Sequence, residues 1–122
     1  MNGDLSAKLS AYGIDLADAM KRMDDDEALY KRLAFKYLNN TNYVDLVAAM
    51  EAKDYDDAYH AAHTLKGVSG NLSLAKLYQV ASAASDALKQ GEYQAAEQMM
   101  PDLKAAHEKA VEGLVSWQDG TL

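Results

Sequence analysis

The sequence predicts an all-α protein, an antiparallel up-down-up-down four-helix bundle with a short N-terminal capping helix, on three observations. Glycine (7) and proline (1) are sparse in 122 residues, which leaves few breakers in a chain rich in Ala, Leu, Lys, Asp and Glu. Apolar residues recur at spacings of three and four through most of the length, the period of helices that each bury one stripe. The connections between four substantial stripes are only a few residues long, so an up-down bundle is the simplest way to bury all of them.

The capping segment covers residues 4–23, and within it Gly13 to Met23 is amphipathic through Ile14, Leu16, Met20 and Met23. Asp24-Asp25-Asp26-Glu27 then supplies N-cap and first-turn anions that complement a helix dipole. Leu29, Leu33, Tyr37 and Leu38 follow at helical spacing to a stop near Asn39-Asn40. Thr41 is the expected N-cap of a shorter helix marked by Val44, Leu46, Val47 and Met50, reaching to about Lys53. Asp54 and Asp57 stand at capping-box spacing, with Asp in place of the usual Glu or Gln, ahead of a helix from Tyr55 to Asn71. Gly70-Asn71 is its expected C-terminal signal, and Ser73 the expected N-cap of a helix carrying Leu74, Leu77, Ala81, Ala84 and Leu88, which Gly91 stops. In the last segment Ala96, Met99, Leu103, Ala106, Ala110, Leu114 and Trp117 share a face. Pro101 interrupts it, and because an interior proline costs about 3 kcal/mol, a kink is expected there or a helix restarting with Pro101 in its first turn. No repeat, low-complexity tract or linker intervenes, so one domain over residues 1–122 is expected, with its bundle core at about 25–118.

A formal net charge of −7 without clustered Lys or Arg argues against a nucleic-acid surface. The absence of cysteine excludes disulfides and thiolate metal sites and fits a reducing cytoplasm. The apolar runs are far short of a membrane span, and Met1-Asn2-Gly3-Asp4 lacks the basic-then-apolar layout of a signal peptide. A cytoplasmic monomer that meets a protein partner or small ligand, with no nucleic acid and no membrane, is expected. Met1 and the short tails favour a free-standing carrier.

The residue of greatest interest is His63. On its helix Ala58, Ala61, Leu65, Val68 and Leu72 form a core-facing seam within roughly 40° of the direction opposite His63, at about 100° of rotation per residue. His63 therefore points outward. His60, Gly67 and Gly70 form a second stripe on its side, flanked by Tyr59 and Lys66, all within roughly 60° of it. A lone histidine is ordinarily a surface or hydrogen-bonded residue, but two glycines inside a helix cost on the order of 2 kcal/mol. For Gly67 the expected return is the close approach of another surface, whereas Gly70 is expected to terminate the helix. Lys66, one turn from His63, can neutralise an anion attached to it, and a neutral imidazole has one nitrogen free as a nucleophile. A phosphoryl group is the anion that best unites these features.

The stretch Ala61-Ala62-His63-Thr64-Leu65-Lys66-Gly67, with Gly70-Asn71-Leu72 and the helix from Leu74 to Leu88, resembles histidine-containing phosphotransfer (HPt) domains of bacterial multistep phosphorelays. Gly13-Ile14-Asp15, the pattern from Leu29 to Leu38 and the segment to Met50 are similar too, so the resemblance covers residues 12–116. It implies two-component signal transduction in which His63 accepts and donates the phosphoryl group, Lys66 steadies it and Gly67 makes room for a docking receiver domain. Tyr59, His60, Gly67 and Gly70 form the expected docking surface. The implied partners are response-regulator receiver domains and a hybrid sensor kinase, and the receiver brings Mg²⁺ while this chain needs no cofactor of its own. Two positions depart from the family pattern: Ser73 stands where a further glycine is frequent, and Ala84-Ser85 where Leu-Glu is frequent. Both are expected to lie away from the phosphoryl site.

A carboxylate-histidine metal site is the rival from another class, because Asp57 and His60, and His60 and His63, are spaced i, i+3. Against it, both histidines point outward, and the other helices lack a Glu-x-x-His partner motif; His107, beside Glu108, reads as a surface residue. A bundle that docks without phosphotransfer is a further alternative, disfavoured because Lys66 and Gly67 accompany an intact histidine. No nucleotide-binding signature, phosphate loop or Ser/His/Asp constellation is present, so no kinase activity is expected.

Overall fold

In the computed structural model, which describes residues 3–122, the helices are α1 (Gly3–Ser10), α2 (Leu16–Arg22), α3 (Glu27–Phe35), α4 (Asn42–Glu51), α5 (Tyr55–Asn71), α6 (Ala75–Lys89) and α7 (Tyr93–Asp119). A 3-10 turn (Lys36–Asn39) follows α3, and no strand occurs among the described residues, so the fold is an all-α helical bundle. Met1, on which the reading of a free-standing chain rests, lies outside the described residues.

Local capping chemistry sets several of these boundaries. The carboxylates of Asp15, Asp26 and Asp54 accept from the backbone N–H groups of Asp18, Leu29 and Asp57 at 3.0, 3.0 and 3.2 Å, starting α2, α3 and α5. Each such cap contributes about 1 kcal/mol. Of the acidic cluster only Asp26 caps and only Glu27 enters the first turn of α3. Asp24 and Asp25 instead take left-handed φ values of 56° and 64° in the turn before it. Thr41 holds the N-cap position of α4 as expected, but its side chain makes no capping hydrogen bond. Its hydroxyl donates to Asp45 at 3.2 Å, and the Asn40 side-chain oxygen accepts the Asn42 N–H at 2.8 Å.

The N-terminal segment is two helices joined at Gly13. Leu9, Ile14 and Leu16 are buried, so it belongs to the hydrophobic core. Gly13 has φ +77° and a Cβ there would stand 2.7 Å from Lys76 Cβ, while its carbonyl accepts the Lys76 N–H at 3.2 Å. Asp15 N–H also donates to the Ser73 carbonyl at 2.9 Å, which ties the start of α2 to the turn between α5 and α6.

From α4 onward each helix packs on the next, and α7 folds back onto α3 and the 3-10 turn. Tyr30, Leu46, Leu65, Leu77, Leu103 and Leu114 fill the centre. α7 passes through Pro101 as one helix, so it does not restart there. Ala96 before the proline and Leu103 after it are both fully buried, and packing on either side outweighs the lost hydrogen bond.

His107 is not a surface residue. It is half-buried on α7, its Nδ1 lies 2.7 Å from the Tyr37 hydroxyl, and its ring stacks on Tyr43 at 4.0 Å and 11°. Burial lowers its pKa, against an opposing pull from Glu108. Below the ordinary histidine range the unfolded chain therefore takes up a proton that the folded chain resists, and stability falls as pH drops. The urea midpoint is expected to decrease from pH 7.5 to 5.5, with a smaller decrease in His107→Gln; an equal slope in both chains would remove His107 as the cause.

Candidate functional site

The fully buried line of α5 is Ala58, Ala62, Leu65 and Ser69, whereas Ala61, Val68 and Leu72 of the expected seam are only half-buried. The helix is thus turned by roughly 50° from the expected orientation. Ser69 can occupy the core because carbonyls of its own helix satisfy its hydroxyl, Leu65 at 2.7 Å and Lys66 at 3.1 Å. His63 remains exposed after this rotation.

His63, Lys66, Gly67 and Gly70 come together along one open cavity of about 490 Å³. A Cβ on Gly67 would meet nothing within 4 Å, so the approach to the imidazole is clear at that point. Tyr59 is half-buried with its ring 5.7 Å from that of His63 and 29° from parallel, which makes it an apolar wall beside the imidazole. His60 is not part of this cavity. It lines another, of about 570 Å³, with Asp54, Asp57 and Thr64.

Gly70 is the penultimate residue of α5, which ends at Asn71 as expected, and a Cβ there would stand 3.1 Å from the Tyr78 ring, so its smallness admits α6. The left-handed residue of the turn is Ser73, at φ +55°. Such a conformation costs a side-chain-bearing residue about 1–2 kcal/mol. Ser73 does not cap α6; Leu74 occupies that position, and the Ser73 hydroxyl donates instead to Asp18 Oδ2 at 2.8 Å. Contrary to expectation, Ser73 lines the His63 cavity, because the α5–α6 turn folds over it. Ala84 and Ser85 are buried packing residues of α6.

Among the lining residues that sequence reasoning missed are Asp18 and Arg22 of α2 and Tyr78 of α6. Arg22 Nε donates to Asp18 Oδ2 at 2.9 Å. This bond, then that from Ser73, holds the Asp18 carboxyl below the usual carboxylate range. The i, i+4 spacing of Asp18 and Arg22 was a local signal for their pairing, but nothing local said which helix they would face.

Among the described residues no three His, Cys, Asp or Glu side chains are grouped so as to hold a metal, and no helix is long and apolar enough to cross a membrane. A family model described as the Hpt domain matches residues 35–113, more than half of the chain and all of α4, α5 and α6. No curated protein and no solved structure matches the chain.

Proposed function

Because the chain belongs to the Hpt domain family, and so is a phosphocarrier of two-component phosphorelays without kinase activity of its own, we propose that His63 is the residue that carries the phosphoryl group. One observation carries this assignment: an exposed imidazole on α5 shares an open cavity with the Lys66 ammonium, beside a glycine with free space in front of it. The free nitrogen of neutral His63 attacks the phosphorus of a receiver's aspartyl phosphate. The N–P bond forms as the P–O bond breaks, and the aspartate carboxylate leaves with the electron pair. The reverse exchange delivers the group to the aspartate of a second receiver.

Lys66 neutralises part of the charge spread over the three equatorial oxygens in a loose transition state. Gly67, Gly70 and Tyr59 form the docking surface, with His60 at its edge. Hpt domains interact with receiver domains and hybrid sensor kinases, and in our reading both kinds of partner use this face. The receiver contributes Mg²⁺, and this chain needs no cofactor. It acts as a cytoplasmic monomer, one domain over residues 1–122 with an up-down-up-down core at 25–118 and residues 4–23 as its capping segment. Incubation with a phosphorylated receiver domain tests the proposal: acid-labile, base-stable phosphate must appear on this chain.

Gly67 separates docking from folding. Gly67→Leu is expected to stabilise the free protein by about 0.8 kcal/mol through helix propensity, since a Cβ at this exposed position meets nothing within 4 Å. The same side chain displaces the receiver, and transfer slows by about a hundredfold if the reacting atoms move by about 1 Å. Thermal melts and single-turnover transfer measure the two effects, and unimpaired transfer by Gly67→Leu would refute the docking geometry.

A further inference from the structure

Arg22 borders the same cavity as His63 and Lys66, although it lies on α2, ahead of the residues 35–113 that match the family. Its guanidinium carries five N–H donors, and only the Nε–H is engaged, by Asp18 at 2.9 Å. The four donors on the two terminal nitrogens are left for an incoming group, and the side chain is 49% exposed. Asp18 is itself held on a second side: the oxygen that accepts from Arg22 also accepts the Ser73 hydroxyl at 2.8 Å. Ser73 is nearly buried and adopts a left-handed backbone that favours glycine, yet it carries a side chain whose hydrogen bond runs to Asp18. The three residues form a brace from the α5–α6 turn to α2 that ends in a guanidinium facing the His63 cavity.

We propose that Arg22 is a second cation of the phosphoryl site, donating from its free guanidinium edge to oxygens of the group carried on His63, with Asp18 and Ser73 as its positioning residues. The inference rests on His63 being the phosphoryl carrier. Its chemistry follows from the two cations' different shapes. Lys66 is a point charge on the helix of the histidine, while a planar guanidinium offers two parallel N–H bonds to a phosphate edge. The opposing charge at the site is the Asp18 carboxylate, which Arg22 and Ser73 already engage. Arg22 changes no covalent bond in the transfer; it stabilises charge on the oxygens of the migrating group.

Single-turnover transfer from a phosphorylated receiver domain tests this in wild type, Arg22→Gln, Arg22→Lys and Asp18→Asn, alongside the affinity for the unphosphorylated receiver and the ³¹P shift of the phosphohistidine. Arg22→Gln should slow transfer by roughly tenfold and move the ³¹P resonance, with receiver affinity unchanged. Arg22→Lys should recover part of the rate, and Asp18→Asn, which loosens the guanidinium, should fall between wild type and Arg22→Gln. Transfer by Arg22→Gln within twofold of wild type overturns the proposal. So does a matching loss of affinity for the unphosphorylated receiver, which would make Arg22 a docking contact. If wild type itself takes no phosphate, the assignment of His63 fails and this inference with it, whereas normal labelling of wild type with an unaffected Arg22→Gln removes Arg22 alone.

Discussion

His63→Gln, incubated with a phosphorylated receiver domain, is expected to retain no acid-labile, base-stable phosphate, while the wild-type chain becomes labelled. Glutamine has no nucleophilic nitrogen lone pair, because its amide nitrogen is delocalised into the carbonyl, so the N–P bond cannot form. The loss should be complete. His63 is exposed on α5 and its replacement leaves the buried line from Ala58 to Ser69 intact, so thermal stability should change by no more than about 0.5 kcal/mol. The two remaining histidines are the controls. His60 lines a different cavity and the His107 Nδ1 contacts Tyr37, so His60→Gln and His107→Gln should still be labelled. Labelling of His63→Gln at the wild-type level would mean that the phosphoryl group sits elsewhere.

Tyr30→Ala should lower unfolding free energy by about 3–5 kcal/mol, a large share of the roughly 5–15 kcal/mol typical of a domain. Tyr30 is fully buried, its ring centroid lies 6.0 Å from that of Trp117, and its hydroxyl donates to the Leu72 carbonyl at 2.6 Å. That bond fastens α3 to the C-terminal end of α5, the helix that presents His63. Tyr30→Phe keeps the ring and removes only the donor, so it isolates the bond and should cost about 0.5–1.5 kcal/mol, the net worth of a partly buried hydrogen bond. Urea denaturation measures both. A loss under about 1 kcal/mol in Tyr30→Ala would show that α3 contributes little to the bundle.

The helix that carries the chemistry was legible because its determinants are local. Asp54 caps its own backbone at Asp57, and the span Tyr55–Asn71 follows. His63 emerged outward even though the core line runs through Ala62 and Ser69 rather than Ala61 and Val68, since a turn of roughly 50° does not carry an outward residue into the core. Ser69 was illegible as a core residue because its polarity is cancelled by carbonyls of its own helix. A restart at Pro101 fails for the opposite reason: its local cost is outweighed by the buried Ala96 and Leu103 on either side. Thr41 holds its N-cap position without a capping bond from its side chain, and Ser73 does not hold the position at all: a hydroxyl bonds to whichever partner the fold brings near, and for Ser73 that partner is Asp18, 55 residues away in sequence.

By itself, the sequence determined the helical class, the extent of α5 and the outward histidine with its lysine and glycine, because helix period, capping and glycine preference act within a few residues. Only the tertiary structure decided that α2 lies against the His63 cavity, that Gly70 in the last turn of α5 makes room for Tyr78, and that His60 lines a different cavity. Those facts depend on which helices meet and at what rotation, and that is settled by packing the whole core at once, with contacts between residues far apart in the chain.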